Sequence, residues 1–164
     1  MRDIPDFPKK GIQFKDITPL ISDPHALNQV VKEMSDPFLN RNLESVVAIE
    51  ARGYIFGAPI AYHLGTGFTP VRKSGKLPWI TSRIEYSLEY GSATLEIHKD
   101  ALKNGDRVLL VDDILATGGT LHAATQLVEG LGAIVEAIVV LAEIVALRGS
   151  EHLRKYELLS LIKL

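Results

Sequence analysis

The 164-residue sequence contains no cysteine. That absence excludes disulfides, thiolate zinc centres and cysteine nucleophiles. Long hydrophobic runs are missing too. The longest apolar stretch, Ala137–Ala142, is far too short to span a bilayer. The first residues, Met1-Arg2-Asp3-Ile4-Pro5-Asp6, lack the apolar core of a signal peptide, so the expected location is cytoplasmic, with no membrane partner. Nor does charge of one sign dominate. A net charge of −2 gives no electrostatic case for nucleic acid, so any polyanion site must be a local gathering of positive groups. His25, His63, His98, His122 and His152 show no metal-ligand spacing and are assigned to surface or packing. What remains is an ordinary globular balance, 46% hydrophobic and 23% charged, in a length that suits one domain over residues 1–164.

Residues 3–24 are rich in Pro, Asp, Gly and Lys and are expected to form a packed irregular arm. Asp23-Pro24 then supplies a helix cap and a first-turn proline. Leu27, Val30, Val31 and Met34 follow at helical spacing until Pro37. Three short apolar runs predict buried strands: Val46–Ile49, Gly67–Val71 and Val108–Val111. Helices are expected over Phe56–Leu64 and Thr120–Leu131, and a further strand over Ile134–Ile144. Strands alternating with helices predict an α/β fold, a mostly parallel twisted sheet flanked by helices. In such sheets the ligand crevice lies at the carboxyl ends of the strands. Here three strands end in chemically loaded turns: Glu50–Gly53, Arg72–Lys76 and Asp112–Thr120. Residues 74–100 interrupt the alternation with charges and aromatics, and are expected to form an inserted flexible flap built like a hairpin.

The segment Asp112-Asp113-Ile114-Leu115-Ala116-Thr117-Gly118-Gly119-Thr120 carries the most chemistry. Gly118-Gly119 lets the backbone come close to a ligand. The helix start behind it favours an anion by roughly 0.3–2 kcal/mol, depending on burial. Thr117 and Thr120 add hydroxyl donors. The lysine of a Walker loop is missing, and the spacing is not that of a dinucleotide turn. Adjacent carboxylates at a strand end repel one another unless sugar hydroxyls or a metal ion satisfy them. A phosphate grip beside a hydroxyl grip suits a phosphorylated ribose.

This strand, loop and helix start resembles the ribose-phosphate fingerprint of the type I phosphoribosyltransferases. Four more segments match in order: Asp6–Ile17, Ala51–Gly57, Arg72-Lys73 with Gly75-Lys76-Leu77-Pro78, and Leu88-Glu89-Tyr90-Gly91. Five motifs in register resemble the adenine-using branch of that family. The resemblance implies transfer of a phosphoribosyl group from phosphoribosyl pyrophosphate to adenine, giving AMP and pyrophosphate. It also implies Mg2+ bound with the substrate, a homodimer, and an N-terminal hood over about residues 1–24.

Residue roles follow from the same resemblance. Ala116, Thr117, Gly118, Gly119 and Thr120 would grip the 5′-phosphate, and Asp112 and Asp113 the ribose hydroxyls. Ala51, Arg52, Arg72, Lys73 and Lys76 would bind pyrophosphate, with a cis peptide entering Arg52. Phe14 would cover the adenine ring, with Gln13 and Lys15 at its edge. Glu89 would handle the purine proton as an acid/base residue, beside Lys76 and Arg52 in the catalytic set, and Tyr90 would close over the site. Trp79 departs from the small residue usual after the flap proline, and Leu147–Leu153 is a looser version of the family's ending. Each role has a plainer alternative. Arg52 could cap a helix or pair with Glu50, Lys73 and Glu89 could be solvated charges, and Phe14 could be core. A transferase for another purine, and a non-catalytic sensor of the same sugar phosphate, are the competing functions.

Overall fold

The computed structural model describes residues 1–7, 9–88 and 91–164. In chain order the elements are β1 (Arg2–Ile4), β2 (Phe14–Asp16), α1 (Thr18–Ile21), α2 (Pro24–Ser35), β3 (Ser45–Ile49), α3 (Gly53–Leu64) and β4 (Gly67–Lys73). There follow β5 (Thr81–Leu88), β6 (Gly91–His98), β7 (Arg107–Leu115), α4 (Gly119–Gly130), β8 (Ile134–Glu143) and β9 (Glu157–Lys163). Seven strands form one sheet in the order β5-β6-β4-β3-β7-β8-β9. From β4 to β9 the neighbours run parallel, while β6 is antiparallel to both β4 and β5.

The sheet is covered on both faces because its central strands are apolar on both sides. Alternation along β3 sends Val46 and Ala48 to one face and Val47 and Ile49 to the other. The first pair packs with Phe56 and Ile60 of α3 and Met34 of α2. The second packs with Leu121, Leu127 and Val128 of α4. Helix α3 lies very close to β3, since a Cβ on Gly57 would stand 2.5 Å from the Ala48 Cβ. Helix α2 starts as its sequence dictates, with the Asp23 carboxylate accepting from the His25 and Ala26 amides. No helix among the described residues is long and apolar enough to cross a membrane.

Four expectations change. The arm is ordered rather than irregular: β1 and β2 pair antiparallel, with Arg2 opposite Asp16 and Ile4 opposite Phe14. Its register is fixed by charge, through Arg2–Asp16 at 2.6 Å and Lys15–Asp3 at 2.8 Å. Strand β7 does not stop before the acids but runs through Asp112 and Asp113, because β8 continues to pair with it as far as Leu115. Helix α3 begins at Gly53, earlier than the apolar pattern suggests. Strand β9 has no counterpart in the sequence reading. It pairs with β8 alone, at the sheet edge.

Within residues 74–100, β5 pairs with β6 antiparallel from Thr81↔His98 to Leu88↔Gly91. This pair joins the sheet by a short register of β6 with β4, Arg72↔Glu96 and Lys73↔Leu95. Trp79, in the connection leading into it, is exposed. Glu89 and Tyr90 lie outside the described residues.

Candidate active site

The carboxyl ends of β3, β4 and β7 surround a cavity of about 330 Å³. Its floor is Asp112 and Asp113. One wall is Glu50, Ala51 and Arg52 with Lys73; the opposite wall is Ala116, Thr117, Gly118 and Thr120; Tyr86, Ala93 and Leu95 reach in from β5 and β6. The three strand ends singled out by the sequence therefore do meet.

The wall from Ala116 to Thr120 is made of backbone. Gly118 caps α4 with φ +85, and no side chain accepts from the first amides of the helix. Among the described residues no hydrogen bond runs from those first amides, and a helix start of this kind suits an anion. The turn is held from beneath by the segment before β9. A Cβ on Gly118 would fall on the Gly149 carbonyl oxygen, and one on Gly149 would fall on the Ala116 carbonyl oxygen. Gly119 instead faces β5, with the Ser87 carbonyl 3.4 Å from its would-be Cβ. The Thr120 hydroxyl donates to the Tyr86 hydroxyl at 3.3 Å.

The other wall is made of charged side chains. Arg52 Nε stands 2.8 Å from Asp113 Oδ2, and its guanidinium lies 5.0 Å from the centroid of the Phe14 ring. Arg52 thus neither pairs with Glu50 nor uses its side chain to cap α3. Glu50 instead holds Arg72 Nε at 2.6 Å and Lys76 Nζ at 3.3 Å. Lys73 lines the cavity and has no ion-pair partner among the described residues. The cis peptide is Glu50–Ala51, one bond before the position that the resemblance implies.

Burial pushes the Asp112 carboxyl well above the usual carboxylate range, and the neighbouring Asp113 charge adds to it. Burial raises Asp113 as well, with Arg52 pulling the other way. Asp113 is only 3% exposed, and its Oδ2 has no well-directed hydrogen bond among the described residues. A buried carboxylate left this way is ready to accept a donor from a ligand. At Glu50 burial again opposes ionisation, but Arg72 and Lys76 outweigh it and its carboxyl is lowered.

Not every candidate residue reaches the cavity. Arg72 and Lys76 stand behind Glu50. Gln13, Phe14 and Lys15 lie outside the lining, connected to it through Arg52, which packs on Phe14 and reaches the Lys15 carbonyl at 3.5 Å. Gln13 and Lys15 both hold Asp3, and Phe14 packs edge-on against Phe7 at 5.2 Å. Sequence reasoning missed Gly149, Glu50 as an organiser of cations, and Tyr86. For Glu50 and Tyr86 a signal existed, a charge beside Arg52 and an aromatic in the flap. For Gly149 none did.

The model of the phosphoribosyl transferase domain matches residues 25–159. The chain belongs to the phosphoribosyltransferase family. It is 56% identical over 162 residues to the adenine phosphoribosyltransferase of Nitrosococcus oceani, covering 99% of this chain and 95% of that one. The crystal structure of adenine phosphoribosyltransferase from Thermoanaerobacter pseudethanolicus superposes with a TM-score of 0.96 at 54% identity, over 99% of this chain and 95% of that one. The Saccharomyces cerevisiae enzyme, crystallised with an imino-altritol bisphosphate and adenine, gives 0.91 at 36% identity, over 97% and 92%. The fold expected of a type I phosphoribosyltransferase is the fold found.

Proposed function

We infer that this phosphoribosyltransferase takes adenine as its base, joining it to phosphoribosyl pyrophosphate to give AMP and pyrophosphate. One observation carries the reading. A single cavity joins a helix start capped by a glycine, an acid pair with Asp113 buried, and a cationic wall, in a chain 56% identical to an adenine phosphoribosyltransferase over nearly its whole length.

In this reading the amides of Ala116–Thr120 take the 5′-phosphate. Asp112 and Asp113 accept hydrogen bonds from the ribose hydroxyls, which relieves two carboxyls that burial holds above their ordinary range. The Ala51 turn, Arg52 and Lys73 take pyrophosphate, and Arg72 and Lys76 exchange Glu50 for it. Purine N9 bonds to C1′ as the C1′–oxygen bond to pyrophosphate breaks, and the N9 proton passes to Glu89. Arg52 and the lysines meet charge that grows on the leaving group, so they act most strongly in the transition state. Phe14 packs on the base, with Gln13 and Lys15 at its edge and Tyr90 closing behind.

Among the described residues no group of three acidic or histidine side chains is placed to hold a metal. Asp112 and Asp113 do offer hard oxygen donors that suit magnesium through water or substrate hydroxyls. The ion, carried on pyrophosphate, would neutralise its charge. A homodimer belongs to the same reading and is checked by sedimentation. So does a cytoplasmic location, since phosphoribosyl pyrophosphate and AMP are both multiply charged and do not cross membranes unaided.

A pyrophosphate-release assay with adenine, guanine and hypoxanthine side by side tests the function. Release with adenine alone is the expected result. Preference for a 6-oxopurine overturns the choice of base. Binding without release with any base leaves a sensor rather than an enzyme.

A further inference from the structure

A second buried carboxylate lies behind the cationic wall, outside the cavity lining. Glu96, on β6, is 0% exposed. It stands opposite Arg72 of β4 and Arg83 of β5 in the strand register. Its Oε1 accepts from the Ser74 hydroxyl at 2.8 Å and meets Arg83 Nε at 2.8 Å; its Oε2 accepts from the Gly75 amide at 3.1 Å.

Burying a carboxylate is costly unless its partners are well placed. Here the charge partner, Arg83, is mostly exposed, and the other two partners are neutral donors in the turn that follows β4. That turn is also pinned by the Ser74 amide on the Thr94 carbonyl at 3.1 Å and by Arg72 on the Lys76 carbonyl at 3.1 Å. Gly75 turns it through φ +82. The residues on either side of the Glu96 contacts are Lys73 and Lys76. Glu50 holds the cations of this wall from the cavity side, whereas Glu96 holds the backbone that carries them from behind.

We propose that Glu96 is a positioning residue for pyrophosphate: its buried carboxylate fixes the Ser74–Gly75 turn so that Lys73 and Lys76 stand beside the Glu50–Arg52 wall. The proposal rests on the transferase reading and deepens it by separating the two phosphate-binding ends of the site. Glu96 belongs to the pyrophosphate end alone. The 5′-phosphate turn has its own support in Gly149.

Glu96→Gln keeps the size and places an amide NH2 against a donor whichever way it turns. Titration calorimetry with magnesium pyrophosphate and, separately, with AMP reads the two ends. Glu96→Gln weakens pyrophosphate about ten-fold, about the worth of one lost hydrogen bond to a charged group, and leaves AMP within about two-fold. The KM for phosphoribosyl pyrophosphate rises and that for adenine does not. Ser74→Ala, at an exposed position, removes one partner without touching the core and weakens pyrophosphate in the same direction by about three-fold. Equal weakening of AMP and pyrophosphate marks a general structural role and overturns the proposal. So does unchanged pyrophosphate binding in Glu96→Gln or, if that variant fails to fold, in Ser74→Ala. A wild-type chain that binds AMP but no pyrophosphate defeats the proposal together with the assignment of the cationic wall. Loss of AMP binding in the wild type is what defeats the transferase reading itself.

Discussion

The turns that end β3 and β7 face each other across one cavity and are built on opposite plans. After β3 and β4 the working groups are side chains, most of them held by an opposite charge: Arg52 by Asp113, and Arg72 and Lys76 by Glu50. After β7 the working groups are amides, held in place by glycine packed on glycine. A charged grip can exchange its protein partner for a ligand, so it can follow a group that arrives in one step and departs in the next. A backbone grip has nothing to exchange and holds its anion throughout. The first suits a leaving group and the second a handle.

The backbone grip is most vulnerable at Gly118. A left-handed alanine costs about 1–2 kcal/mol, and the methyl group would also collide with Gly149. Gly118→Ala should lose more than about 2 kcal/mol in urea unfolding and should show no AMP binding by calorimetry. Next comes Arg52→Gln, which leaves the buried Asp113 carboxylate unpaired, at about 1–3 kcal/mol. Its sign with pH is fixed. Burial already holds Asp113 above its ordinary value, and removing Arg52 raises it further. The variant therefore regains stability as pH falls, and its deficit against wild type should shrink from about pH 7 to about pH 5. A deficit constant with pH would show that the pair is not what Arg52 supplies.

Asp16 in the arm should behave in the opposite sense and more weakly. The Thr18 amide, Arg2 and the Thr18 hydroxyl lower its carboxyl from 3.8 to about 2. A lowered group stabilises above its unfolded value and loses that contribution as pH falls through the folded one. Wild type should therefore melt above Asp16→Asn at about pH 5, and the gap should close towards pH 2. The smallest effect sharpens the contrast within the glycine turn. Gly119 is helical, with only ordinary contact from the Ser87 carbonyl, and alanine in a helix gains up to about 1 kcal/mol over glycine. Gly119→Ala should keep or slightly raise the melting temperature, one residue away from the most damaging change.

Much of this was legible in the sequence because it is local. Val46–Ile49 and Val108–Val111 are too apolar to lie anywhere but inside a sheet, and Asp23-Pro24 announces a helix without help from distant residues. The turn Ala116–Thr120 is likewise written in consecutive residues. What escaped depends on partners far along the chain. The arm reads as irregular because its ribbon is fixed by Arg2–Asp16 and Lys15–Asp3, pairs that no periodicity displays. Strand β7 reads as ending before Asp112 because charge ends an apolar run, whereas the pairing with β8 carries it on to Leu115. Edge strand β9 and Gly149 acquire their roles only once the tail folds back. Motif matching placed Arg72 and Lys76 at the site, but not that Glu50 already holds them.

Gly118 and Gly149 also bear on how such a sequence can change over generations. The backbone of Gly149 fills the space that a Gly118 side chain would need, and the Ala116 carbonyl and Gly118 amide fill the space that a Gly149 side chain would need, so neither can vary freely. Because the obstacles are backbone atoms, a substitution at one glycine does not make room for a side chain at the other. A stretch that looks like a loosely kept ending is thereby bound to the most recognisable motif of the chain. In an alignment of relatives, the glycine near the end should be as invariant as the one in the fingerprint, although it would touch no substrate.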